Sequence, residues 1–134
     1  EASRQQLSDA INAQEKTLGS QHPLTLSCLS AMGNLLTRAP KITKELLEEA
    51  EVFNNRACQE LQIRGMNSKH PIRLAALYNR AHSNLLKSIT AEDGDRLLGV
   101  AVKQLQEVHG GLVERRGTAH PETRETERVL QEAR

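Results

Sequence analysis

Apolar residues along the chain recur at intervals of three and four, the spacing that gathers side chains on one face of an α-helix. Leu7, Ala10, Ile11 and Leu18 share such a face and predict a helix over residues 3–18. A second begins at Pro23, with Leu29, Met32, Gly33 and Leu36 in register. It ends by Arg38-Ala39-Pro40, because a proline disfavours helix in the residue before it. The third is the most regular: Leu46, Ala50, Phe53, Ala57 and Leu61 run through TKELLEEAEVFNNRACQELQIRG. Thr43 is its expected N-cap, with Glu45 and Glu48 near the positive end of the dipole. The fourth, from Pro71, carries Leu74, Leu77, Tyr78, Ala81 and Leu85. Acidic turn residues in TAEDGD (90–95) interrupt the pattern before a fifth, with Leu98, Ala101, Leu105, Val108 and Leu112. Its Gly110-Gly111 pair, at about 1 kcal/mol each against alanine, predicts a kink or an early end. A sixth starts at Pro121 and is still running at Arg134. No segment alternates with period two for long enough to make a strand, so the class is all-α.

The breaks between helices repeat. His22-Pro23, His70-Pro71 and His120-Pro121 each follow a glycine (Gly19, Gly65, Gly117), and the three histidines stand 48 and then 50 residues apart. Glycine suits the left-handed position past a helix end, and proline suits a first helical turn, where its missing N–H costs nothing. The histidine between them is expected at the N-cap or packed in the corner. Leu29 and Leu77 both fall seven after their histidine, and the small residues Gly33 and Ala81 both fall eleven after. Ala50 and Ala57 form a pair seven apart, a spacing that Ala101 and Val108 repeat. Small residues on facing helices permit close approach, and an internal period near 50 residues points to a stacked array.

LGSQHPLTLSCLSAMGNLL followed by EEAEVFNNRACQEL resembles the tetratricopeptide repeat, in the variety found in kinesin light chains, where Leu-Gly-x-x-His-Pro joins one repeat to the next. Glu49, Ala50, Glu51, Arg56 and Ala57 match the start of that family's second helix. The resemblance is good over 17–65, fair over 66–90 and thin after 95. The connection TRAPKITKELLE is longer than the family's tight turn, Arg80 stands where an apolar residue is expected, and the wedging tyrosines are mostly missing. The resemblance implies a right-handed α-solenoid of antiparallel helix pairs occupying 1–134. Residues 1–19 would be the second helix of a preceding repeat, 20–65 and 66–117 two repeats, and 118–134 the first helix of a further one. With no evident polar cap at either end, Leu7 and Ile11 at one terminus and Val129 and Leu130 at the other are expected to face a neighbour. The chain, which opens on Glu1, is therefore read as a piece of a longer array or a subunit buried among partners.

Composition narrows the chemistry. Phe53 and Tyr78 are the only aromatic residues, and a core of leucine and alanine suits packed helices better than sheet. Eighteen basic against seventeen acidic residues give a net charge of +1, so no bulk electrostatic attraction to nucleic acid or anionic membrane exists. No apolar run approaches the ~20 residues of a membrane span or forms a signal-peptide core. Cys28 and Cys58 read as small buried hydrophobes, which sets a reducing, cytoplasmic compartment as the default, with cytoskeletal association as a variant. His22, His70 and His120 belong to the seams, and His82 and His109 have no partners at ligand spacing, so neither metal nor cofactor is expected. Ser20 and His22 share a turn with no acid to orient the imidazole, and no phosphate loop, nucleophile elbow or HExxH motif appears, which argues against an enzyme. VERRG (113–117) is a basic cluster at a helix end, where arginine favours the negative pole of the dipole.

What remains is a binding surface. In the family that the chain resembles, the first helix of each repeat lines a concave groove. This implies Ser30, Asn34 and Arg38 in the first repeat, Tyr78 and His82 in the second, and Arg128 in the last as partner-binding residues. Asn34 matches a position where an amide grips peptide backbone, donating and accepting together. The lysine of the chaperone-tail clamp is replaced by Ser30, so chaperone C-termini are not the expected ligand. The expected function is a non-catalytic scaffold or adaptor that binds a segment of another protein. The alternative is a structural brace in a large assembly, such as a cytoskeletal or ciliary one, making contact through loops and terminal helices. A third reading is the repeat arm of a larger enzyme or ATPase.

Overall fold

The computed structural model describes residues 2–19, 21–38, 41–67 and 69–133. Ser20, Ala39, Pro40 and Arg134, which enter the expectations above, lie outside them, as do Glu1 and Ser68. Among the described residues the chain is all-helical: α1 (Ala2–Leu18), α2 (Pro23–Thr37), α3 (Lys44–Ile63), α4 (Pro71–Thr90), α5 (Gly94–Arg116) and α6 (Pro121–Ala133). They fall into two compact units, Glu1–Met66 and Asn67–Arg134.

The helix starts share one device. At His22 and His70 the backbone is extended (φ −68°, ψ 139° and φ −64°, ψ 136°), and the following proline occupies the first turn. The imidazole Nδ1 accepts a hydrogen bond from the backbone N–H two residues on: Leu24 at 3.1 Å, Ile72 at 3.2 Å and, for His120, Glu122 at 3.1 Å. Each histidine thus satisfies one of the amides that a helix start leaves without an intrahelical partner. The glycines before them hold φ of 93°, 74° and 85°, a region that side-chain-bearing residues rarely enter. Thr43 caps α3 as its sequence suggests, its Oγ1 accepting from Leu46 N at 3.1 Å.

In the first unit, α2 packs along α3 and α1 packs on α2. Leu26, Leu29, Met32 and Leu36 of α2 are buried, with Leu47, Ala50, Ala57 and Leu61 of α3 and Ile11 of α1. The buried stripe of α3 runs 47, 50, 54, 57, 61, so the pattern read from sequence is displaced: Leu46 and Phe53 are only half-buried, and Asn54 is 1% exposed. Gly33 explains the exchange, since a Cβ there would overlap Asn54 Oδ1. A missing side chain on one helix makes the space for an amide on the other. Two ion pairs, Arg4 with Glu49 and Glu15 with Arg56, tie α1 to α3.

In the second unit, α4 and α5 pack along their lengths and α6 closes on α5. Leu74, Val108 and Leu112 form one buried cluster, and Ala81, Leu105, Val129 and Leu130 form another. The break expected at Gly110-Gly111 does not occur, because α5 runs unbroken to Arg116. Gly111 is instead a point of close approach, where a Cβ would sit 2.7 Å from Leu74 Cδ2. Asn84 Nδ2 donates to Gln104 Oε1 at 2.9 Å and Lys69 pairs with Glu114, fastening α4 and the segment before it to α5.

The expected terminal faces are corrected. Ile11 (6% exposed), Val129 (9%) and Leu130 (5%) are covered by the chain itself, and Leu7 is half-buried. In α6 the apolar pair Val129 and Leu130 is turned onto its own unit, and in α1 Ile11 is, while Leu18 stays exposed (41%). The outer side of α6 consists of exposed charge and amide: Arg124, Glu125, Glu127, Arg128, Gln131 and Glu132.

Candidate functional site

α1 packs on α2 but leaves part of the contact open. The opening is a cleft of about 500 Å³ lined by Gln6, Leu7 and Ala10 of α1 and Ala31, Asn34, Leu35 and Arg38 of α2. Leu7, Ala10, Ala31 and Leu35 make an apolar lining, and Gln6, Asn34 and Arg38 bring the polar groups. Arg38 is the one ionisable residue in that lining. Its Nε donates to Asn34 Oδ1 at 3.0 Å, which orients the amide and leaves the outer edge of the guanidinium fork as the cationic element of the cleft. The arrangement is suited to seating an apolar side chain, with a carbonyl or carboxylate directed towards Arg38.

The residues named from sequence divide. Asn34 and Arg38 come together in the cleft. Ser30, one turn earlier, does not join them: it is 4% exposed and belongs to the packed face of α2 with Leu26, Leu29 and Gly33. α2 is packed by both α1 and α3, and Ser30 falls within the surface they cover. Tyr78 and His82, in the second unit, stack their rings on each other, with centroids 6.3 Å apart and planes 4° from parallel. Tyr78 also packs against both apolar clusters of its unit and is half-buried.

Arg128 lies exposed on α6, where Glu125 and Glu132 hold it from either side: Nε and Nη2 bond Glu125, and Nη1 bonds Glu132 at 2.7 Å. These carboxylates, Glu125 first, push its pKa up from an already high value. It is a member of a surface ion-pair ladder, the usual use of opposite charges three and four residues apart.

Sequence reasoning missed the α1 wall. Leu7 is expected from sequence to face a neighbour and Ala10 only to share its helical face, and nothing in their periodicity distinguishes a face that closes from one that stays open. Gln6 and Ala31 carry no signal, being a polar and a small residue on helices full of both.

Among the described residues no cluster of three or more histidine, cysteine, aspartate or glutamate side chains is placed to hold a metal ion. No described helix is long and apolar enough to cross a membrane. Comparison of the chain with protein-family models, with curated proteins and with solved structures gives no match in any of the three.

Proposed function

We propose that the chain is a non-catalytic protein–protein interaction module of tetratricopeptide-like design, and that the cleft between α1 and α2 receives a short segment of a partner protein. The observation that carries this reading is the cleft itself: four apolar side chains beside an oriented amide and one cation, open to solvent. Such a surface offers hydrogen bonds and apolar contact but no nucleophile or general base among its lining residues.

The solenoid of antiparallel pairs is part of the proposal. Its support is a set of contacts between consecutive helices: Gln14, late in α1, with Cys28, early in α2; Gly33 of α2 with Asn54 of α3; and Leu74 with Gly111 and Asn84 with Gln104, which run in opposite order along α4 and α5. The thrice-used histidine cap supports it too, since one corner geometry repeated along a chain is what a repeat requires. On this reading the module works in the reducing cytoplasm, with Cys28 and Cys58 as thiols.

A displayed-peptide selection against the whole chain tests the proposal, followed by fluorescence anisotropy of the selected peptides on variants. Asn34→Ala with Arg38→Ala is expected to weaken binding about tenfold or more, in line with the loss of a charge-assisted contact and its orienting amide. Peptides that bind both forms alike would remove the cleft from consideration. The brace reading, through loops and terminal helices, is favoured by a different observation, the exposed aliphatics Leu18 (41% exposed) at the end of α1 and Ile42 (38%) in the loop between α2 and α3. Crosslinks from native extract that fall on Lys16 and Lys41, beside these residues, and survive the Asn34/Arg38 double variant, would select it.

A further inference from the structure

The basic cluster at the end of α5 has no part in the cleft. It reads Arg115-Arg116-Gly117-Thr118, two arginines standing third and second before a hydroxyl residue. All four residues are exposed. Arg115 and Arg116 form the last turn of α5, and Gly117, with φ 85° and ψ 166°, ends the helix and leads the chain into the turn that holds Thr118. Glu114, the acidic residue beside the pair, is engaged by Lys69 and so is drawn away from them.

We propose that Thr118 is a phosphoacceptor for an arginine-directed serine/threonine kinase. Kinases of this class discriminate substrates by charge pattern, reading guanidinium groups just ahead of the acceptor with carboxylates of their own cleft. Such a cleft needs the segment extended. Here only the final turn of α5 must unwind, and terminal turns are the least stable part of a helix. Burial separates this site from a superficially similar one: Ser83 follows Arg80 by three residues but is 2% exposed, in the middle of α4.

In the reaction the Thr118 Oγ1 attacks the γ-phosphorus of ATP, the bond from that phosphorus to the bridging oxygen breaks, the hydroxyl proton passes to the kinase's base, and ADP leaves. The product carries nearly two negative charges at neutral pH. They arrive beside Arg116, whose Nε now faces Glu122 Oε1 across a long 3.6 Å contact. The phosphate, with more charge and three acceptor oxygens, takes Arg116 from Glu122, and the new charge lies just ahead of α6, where the helix dipole favours it. The α5–α6 junction thereby becomes a place where a kinase can re-pair surface charge without touching a core residue.

This inference does not depend on the adaptor reading. The test is phosphorylation of the intact 134-residue chain by the catalytic subunit of cyclic-AMP-dependent protein kinase, as a probe enzyme, with radiolabelled ATP. Tandem mass spectrometry is expected to place a single phosphate on Thr118. Initial rates should fall about tenfold or more in Thr118→Ala and in Arg115→Gln/Arg116→Gln, with circular dichroism confirming that both variants fold. Labelling of Thr118→Ala at the wild-type rate would overturn the proposal. So would labelling of a free peptide spanning 111–122 while the folded chain stays unlabelled, since the motif would then be withheld by the fold.

Discussion

Gly110 and Gly111 stand side by side in α5, yet a methyl group added to each would meet different surroundings. At Gly110 it would find nothing within 4 Å, and at Gly111 it would press on Leu74. Gly110→Ala is therefore expected to stabilise the chain by about 0.5–1 kcal/mol, the helix-propensity difference. Gly111→Ala gains the same propensity but overpacks α4 against α5, at a cost of about 1–3 kcal/mol, so its net effect is destabilising. Urea unfolding of the two variants checks the pair. A stabilising Gly111→Ala would show that α4 yields at Leu74.

The histidine caps give a second contrast at this scale. His22→Ala and His70→Ala each remove an acceptor from an otherwise unsatisfied backbone amide, and each is expected to cost about 1 kcal/mol. Asparagine in their place should recover most of it, because its side-chain oxygen can serve the same amide. Equal losses in the alanine and asparagine variants would mean that the imidazoles matter for packing rather than for their Nδ1. Position and residue type of these caps were legible in the sequence, because a proline fixes the first turn and a recurring histidine before it marks one corner. The role of Gly111 was not. Two glycines in a helix look alike until a neighbouring helix is placed against them, and only one of these two meets Leu74.

At the scale of elements, many helix limits follow from local punctuation: His-Pro opens α2, α4 and α6, Thr43 caps α3, and Gly19, Gly65 and Gly117 follow the ends of α1, α3 and α5. What local pattern does not carry is which polar residues go inside. The early turns of α6 read PETRETER, with no apolar residue, yet Thr123 and Thr126 are buried. Asn54 replaces Phe53 in the stripe of α3 for the same reason: burial depends on the facing helix, and Gly33 is the local cause. The start of α5 shows the complementary case. Asp93 stands at the N-cap position but makes no side-chain cap hydrogen bond, because its carboxylate is taken by Arg96 at 3.0 Å from Nε and 2.5 Å from Nη2. That hydrogen bond is the first cause holding its pKa below the ordinary carboxylate value. A depressed carboxylate stabilises the folded chain above the unfolded-state pKa, and the contribution is lost as pH falls through the folded-state value. Carboxyl NMR should show Asp93 titrating below the ordinary aspartate value, and Arg96→Ala should move it upward. An unmoved titration in that variant would assign the depression to the helix start instead of the arginine.

For the whole molecule, the sequence pointed to an all-helical chain built on a repeat near 50 residues, and the contacts gather the helices into two compact units divided between Met66 and Asn67. Each unit carries three helices and buries apolar residues from all three. Asn34 and Arg38, named through the family resemblance, line the cleft, whereas Ser30, named by the same route and four residues before Asn34, lies in the packed face of α2; the α1 wall depended on a contact between elements. The two-unit organisation makes a prediction about folding. Residues 67–134 expressed alone should be helical by circular dichroism and melt in a cooperative transition, since Leu74, Ala81, Leu105, Val108, Leu112, Val129 and Leu130 supply one another's contacts inside that span. Its stability should be low, because a domain near 60 residues buries only about 60% of the surface that its unfolded chain exposes. Removing α6 as well uncovers Ala81 and Leu105 where Val129 and Leu130 now sit. A fragment 67–120 should therefore lose the cooperative transition while keeping some helix. If 67–134 alone were coil, its clusters would be insufficient without the first unit, and the chain would fold as one body. If 67–120 melted as cooperatively as 67–134, α6 would be an appendage rather than part of the core.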